Sequence, residues 1–119
     1  MFLLLLWAAF GCGTDRATCQ PGTLCECPSD LACARVCEGP GCIVSCQDAD
    51  SCDVLCVDGG CSVTSASEGT TNLTCTDGGC TLTCTGTGSC AILECMEDCA
   101  VHCLPGRSCT NACTDPSCI

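Results

Sequence analysis

The sequence predicts an all-β fold, a small disulfide-stapled β-solenoid with 19-residue coils. Three observations predict it. The chain has 21 cysteines in 119 residues, a density that marks a disulfide scaffold in an oxidising compartment. Those cysteines repeat at intervals of 19 residues, as in Cys33, Cys52, Cys90 and Cys109, and a fixed period near 20 is the mark of a solenoid or array. The three aromatic residues, Phe2, Trp7 and Phe10, all fall within the first ten positions. The remainder therefore lacks the large rings of an ordinary core, and cystines must hold it together.

The N-terminus reads as a targeting segment. Residues 2–10 form an apolar run too short to span a bilayer, which suits the core of a signal peptide over 1–11. Ala9-Phe10-Gly11-Cys12 follows at its end. It resembles a bacterial lipobox, with the small residue in place before Cys12 and departures from the usual pattern at Ala9 and Phe10. The resemblance implies cleavage before Cys12 and a lipid on its sulfur. The alternative is an ordinary signal peptide cut a few residues later. Either way 20 cysteines are left to pair, an even number.

A lipidated N-terminus and cap is expected over 12–32, and the cysteine-rich repeat domain over 33–119. Four cysteine phases define the repeat. Cys37, Cys56, Cys75 and Cys113 share the second, Cys42, Cys61, Cys80, Cys99 and Cys118 the third, and Cys27, Cys46, Cys84 and Cys103 the fourth. Each unit reads C-x3-C-x4-C-x3-C-x5. The x3 segments, such as Ile43-Val44-Ser45, Asp53-Val54-Leu55 and Thr81-Leu82-Thr83, centre on an aliphatic residue and suit strands. A period of two puts Cys42, Val44 and Cys46 on one face and Ile43 and Ser45 on the other.

The connectors are turns. Glu38-Gly39-Pro40-Gly41, Val57-Asp58-Gly59-Gly60 and Thr76-Asp77-Gly78-Gly79 combine Asp, Gly and Pro within four residues. Strand, turn, strand, turn fits a flattened solenoid with equivalent strands stacked in parallel, or an antiparallel short-strand meander. The solenoid is preferred, because a two-sheet coil buries both apolar ladders against each other.

Strand geometry restricts the pairing. Cysteines four apart on a strand lie about 13 Å apart, beyond the roughly 7 Å Cα separation a disulfide tolerates. Bridges must cross the turns, giving Cys19–Cys25, Cys27–Cys33, Cys37–Cys42, Cys46–Cys52, Cys56–Cys61, Cys75–Cys80, Cys84–Cys90, Cys95–Cys99, Cys103–Cys109 and Cys113–Cys118. Ser65 and Thr71 occupy two cysteine slots on either side of one turn, as expected of a single lost pair. Cys95 stands one place late, a slip that a β-bulge absorbs.

Charge excludes several partners. Fourteen acidic residues face three arginines and no lysine, for a net charge of −11. Nucleic acid needs a basic patch, so it is not an expected partner. Anionic membrane surfaces are excluded on the same ground, which leaves a lipid anchor as the only membrane attachment. No cofactor is expected.

The candidate sites are few. Thiolate metal storage relies on C-x-C and C-x-x-C, and the chain has one C-x-C, Cys25 and Cys27, and no C-x-x-C. The same absence removes a thioredoxin-like role. Asp58 and Asp77, 19 apart in Asp-Gly turns, would stack in adjacent coils and are the candidate metal ligands. Calcium wants six to eight oxygens, so turn chemistry is the better account of them. Thr74-Cys75-Thr76 and Thr83-Cys84-Thr85 resemble the steps of ice-binding solenoids but stand on different half-repeats. His102, the only histidine, is expected on the outer face with no catalytic partner. Asn72-Leu73-Thr74 is a glycosylation sequon. No catalytic residue is identified, and the chain is not expected to be an enzyme.

Together, the lipobox-like start and the C-x-V-x-C turn repeats resemble cysteine-rich repeat lipoproteins of the myxobacterial type, over nearly the whole chain. The resemblance implies a bacterial outer-membrane or cell-surface location and no activity. The expected role is a non-catalytic, protease-resistant structural or adhesive lipoprotein. The alternative is a divalent-cation-binding module using acidic Asp-Gly turns. A toxin-like or defence peptide ranks last, since such chains are usually shorter and less repetitive. The last unit, 109–119, would offer an open strand edge for end-to-end self-association.

Overall fold

The computed structural model describes residues 17–104 and 109–113. The expected signal peptide, Cys12 and Cys118, and with Cys118 the expected Cys113–Cys118 bridge, lie outside them. The described chain is all-β, with strands β1 (Ala17–Cys19), β2 (Leu24–Glu26), β3 (Ala32–Cys37), β4 (Ile43–Ser45), β5 (Ser51–Cys56), β6 (Ser62–Ser65), β7 (Thr70–Cys75), β8 (Thr81–Cys84), β9 (Ser89–Cys95), β10 (Ala100–Cys103) and β11 (Cys109–Cys113). Odd-numbered strands form a six-stranded sheet and even-numbered strands a five-stranded one.

Every pairing among the described residues is parallel, which makes the fold a β-solenoid and rules out the meander. Cys33 pairs with Cys52, Val44 with Val63 and Leu82 with Val101, each 19 residues on. The first coil is one residue shorter, with Cys19 beside Cys37. Ile92 pairs with Leu73, but Cys95 pairs with Cys75, so the register slips between Ile92 and Glu94. The expected bulge therefore lies where Cys95 stands late, and β9 is the longest strand for that reason.

Alternation puts one face of each sheet inward. Val44, Val63 and Leu82 from one sheet and Val54, Leu73 and Ile92 from the other are at most 1% exposed. Cysteine columns flank these aliphatic columns, so the interior consists of two aliphatic ladders between two sulfur ladders. Ile43 is 46% exposed and His102 is exposed, both on the outer face as the period of two requires.

Two departures lie at the N-terminal end. Arg35 occupies the register position of Val54, inside the core column. It is half-buried, and its guanidinium donates to the carbonyls of Ala34 at 3.0 Å and Glu26 at 3.1 Å. Ala17 of the edge strand follows it in register, and its head is satisfied on backbone oxygen. Cys25 pairs with Val44, so it fills the aliphatic slot of the first coil. That placement explains the lone C-x-C motif.

Candidate functional site

The chemistry-bearing residues lie along the two edges of the solenoid, where the turns stack. One edge carries the four-residue turns. Gly59 and Gly78 there have φ of +78° and +88°, a conformation that costs an L side chain about 1–2 kcal/mol. A Cβ on Gly59 would collide with the carbonyl oxygen of Gly78, and one on Gly78 with that of Glu97. This close approach lets the Gly60 N–H reach the Gly78 carbonyl at 3.0 Å and the Gly79 N–H the Glu97 carbonyl at 2.9 Å. The Asp-Gly-Gly turns thus form a hydrogen-bonded ladder of backbone.

Asp58 and Asp77 are exposed on this edge. Among the described residues, the sets of three ligand-type side chains whose donor atoms lie within 4.8 Å of one another are all cysteine sets. Among the described residues, Asp58 and Asp77 belong to no such set. In each cysteine set at least one sulfur belongs to a disulfide, as Cys61 does beside Cys37 and Cys42, and a disulfide sulfur is no thiolate ligand.

Eight bridges cross the turns among the described residues: Cys19–Cys25, Cys27–Cys33, Cys46–Cys52, Cys56–Cys61, Cys75–Cys80, Cys84–Cys90, Cys95–Cys99 and Cys103–Cys109. Their Cα separations run from 5.7 to 6.7 Å, inside the usual window. These are eight of the pairs expected from strand spacing. The rungs stack closely enough that the sulfurs of Cys27 and Cys52, from neighbouring bridges, are 3.9 Å apart.

The expected Cys37–Cys42 bridge is not formed. Both residues are thiols and fully buried. Their turn differs in sequence from the next two on this edge. Aligned on the cysteines, Pro40 stands where Gly59 and Gly78 stand. The two bridged turns each use two successive glycines with positive φ, whereas this turn has only Gly41, at +83°. Proline is locked near −65°, as in the preceding coil, where Pro21 precedes Gly22 at +73° and the Cys19–Cys25 bridge is closed. The Cys42 thiol donates to the Cys19 carbonyl at 3.7 Å. Burial, reinforced by hydrogen bonding and charge interaction with Cys42, pushes the Cys37 thiol up to about 12.

The other edge carries the five-residue turns. Asp30, Asp48, Asp50 and Glu68 line a concavity of about 370 Å³ there, with Ala49 and Gly69. Backbone bonds hold it: the Asp50 N–H donates to Leu31 at 2.9 Å and the Asp30 N–H to Asp48 at 3.3 Å. Asp30 takes a φ of +62°, which Asp tolerates better than most residues. The Asp-Gly dipeptides drew attention to the opposite edge. The readable signal for this one was the acidic content of successive five-residue turns at 28–32, 47–51 and 66–70.

The remaining sequence features are not brought together. Thr74 pairs with Leu55 and Glu94, and Thr83 with Thr64 and His102, so no continuous threonine column forms. No described helix is long and apolar enough to cross a membrane. No protein-family model, curated protein or solved structure matches the chain.

Proposed function

We propose that this chain is a non-catalytic, secreted or cell-surface lipoprotein with a structural or adhesive role, anchored through Cys12 and resistant to proteolysis. The observation that carries the reading is the ladder of disulfides at the turns. A protease needs several residues of extended, accessible backbone. Turns are where nicking concentrates, and here most described turns are clamped at both ends by a disulfide. Each bridge joins cysteines four to six positions apart, worth roughly 2 kcal/mol in the chain-entropy picture. Bridges therefore replace the aromatic core as the source of stability, which suits a protein outside the cell.

The resemblance to myxobacterial-type repeat lipoproteins supports the location, as does the lipobox-like segment before Cys12. The sulfur-and-aliphatic interior, with no catalytic constellation in the sequence, supports a role in structure rather than turnover. The test combines digestion of the native protein by a broad-specificity protease with the N-terminal mass and fractionation of the cell envelope. Expected are survival of the repeat domain, an acylated Cys12 and recovery with the outer membrane. Rapid digestion with bridges intact, or an unmodified protein confined to the cytoplasm, would sink the reading.

A second reading is a surface that attracts divalent cations through its charge. What favours it is the grouping of Asp30, Asp48, Asp50 and Glu68 around one concavity. It is tested by melting the protein in calcium and in sodium at equal ionic strength. A rise specific to calcium supports it, and identical melts remove it.

A further inference from the structure

We propose that the outer face of the five-stranded sheet is a homophilic contact surface, which packs against the same face of a second copy of this chain with the order of coils reversed. The proposal names the partner of the adhesive reading, and it rests on that reading for the setting in which copies meet.

Register builds the face. Leu24, Ile43, Ser62, Thr81 and Ala100 form one outward column of the even-numbered strands. Glu26, Ser45, Thr64, Thr83 and His102 form the other. From Ile43 to Ala100 neither column carries a charge, although the chain's net charge is −11. The acids crowd into the turns, as at Asp48, Asp58, Glu68 and Asp77, and onto the other sheet at Asp53 and Glu94. Two copies that approach by a turn edge or by the other sheet bring like charges together. Of the described sheet faces and turn edges, this one alone avoids that penalty, and depletion of charge marks the centre of a protein interface.

Charge also fixes the orientation. Glu26 stands at one end of its column and His102 at the other, and both are exposed. A two-fold axis along the central strand, β6, reverses the coils and keeps each column over itself. It sets Leu24 over Ala100, Ile43 over Thr81, and Thr64 over its own copy. Glu26 of each copy then meets His102 of the other, so an imidazole N–H faces a carboxylate at both ends. An axis along the stack would lay Glu26 over Leu24 and desolvate a carboxylate with no partner. Reversed order also sends the two N-termini to opposite ends, so chains anchored through Cys12 meet from facing surfaces.

Size sets the strength. Five strands about 4.8 Å apart, each about four residues long at about 3.3 Å per residue, cover roughly 300 Å² per copy. That is well under a standard interface, so a single contact is weak. Many tethered copies compensate, since linked contacts raise avidity by about 10²–10⁴.

The experiment is sedimentation equilibrium of the native protein in density-matched detergent, which reads its mass whether or not Cys12 is acylated. A reversible monomer–dimer equilibrium is expected at high concentration. Thr64→Asp, at the axis, should weaken it at least about tenfold by setting like charges face to face. Asn72→Asp adds the same charge to the outer face of the other sheet and should change it less than about twofold, since solvent and salt screen a charge outside the contact. His102→Glu should also weaken association, and adding Glu26→His in the same chain should restore it. The proposal is overturned if the protein is monomeric throughout its soluble range, which would leave the face to another occupant. It is equally overturned if Asn72→Asp weakens association as much as Thr64→Asp, or if the charge exchange restores nothing. An unacylated Cys12 in the same preparation would instead sink the anchored reading and leave the contact standing.

Discussion

The hydroxyls of Ser65 and Thr71 lie 2.7 Å apart, in the rung that a disulfide occupies one coil earlier (Cys46–Cys52) and one coil later (Cys84–Cys90). Both residues are buried. The Ser67 N–H also donates to the Ser65 oxygen at 3.2 Å. A hydrogen bond has replaced a covalent bond at one rung while the coil geometry is kept. A covalent rung cannot lose one half alone without leaving an orphan, which is why both cysteines are absent together.

That relationship can be tested in both directions. Ser65→Cys with Thr71→Cys should form a bridge without moving the backbone and stabilise the fold by about 2 kcal/mol, read as a higher Tm and a mass loss of two hydrogens. Ser65→Ala alone should destabilise by about 1–3 kcal/mol, because Thr71 then buries a hydroxyl without that partner. Replacing both by apolar residues of similar shape should cost less than Ser65→Ala. The reverse ranking would mean that the hydrogen bond contributes little.

The turn ladder separates two causes of glycine preference. Gly41 and Gly78 both have positive φ, but a Cβ on Gly41 meets open space and one on Gly78 meets the Glu97 carbonyl. Gly41→Ala should cost only the backbone penalty, about 1–2 kcal/mol. Gly78→Ala should cost clearly more, since it also pushes adjacent coils apart. Equal losses of stability in chemical denaturation would show that coil spacing yields freely.

Reduction should dismantle the fold. With no aromatic core, the described chain has little beyond its bridges and short aliphatic ladders to oppose the entropy of unfolding. Full reduction and alkylation should abolish the β-type circular dichroism and the protease resistance together. A native-like spectrum after complete reduction would show that the aliphatic ladders suffice.

Stability should depend on alkaline pH through Cys37. Its thiol is raised from 9.0 to about 12 by burial and by Cys42. The neutral thiol is favoured in the folded state, so this contribution is fully present below about pH 9 and is lost as pH rises toward 12. The Tm of the dithiol form should fall between those limits more steeply than that of Cys37→Ala. Parallel curves would show that the Cys37 thiol does not couple to folding.

Much of the architecture was legible because it is local. A period of two fixes which residues face inward, Asp-Gly and Pro-Gly pairs mark the turns, and the reach of a disulfide excludes cysteines four apart on one strand. Those facts require no knowledge of neighbouring coils. They were enough for the 19-residue coil, eight bridges, the slip at Cys95 and the lost rung at Ser65 and Thr71.

What the tertiary structure decided concerns residues about 19 apart that meet only when coils stack. Parallel pairing is one case, since the same strands and turns suit a meander until each strand finds its partner. Arg35 is another: a charged residue in a core column is tolerable because it is only half-buried and donates to two backbone carbonyls. The acidic concavity arises from three successive turns brought to one edge, and the Asp-Gly turns prove to be a backbone ladder at the other. Cys37 and Cys42 have the spacing of a bridged pair and stand as buried thiols, although the Pro-Gly turn of the preceding coil is bridged by Cys19–Cys25. Cysteine spacing measures the length of a turn, whereas closure depends on the backbone conformation that the turn adopts against its neighbours.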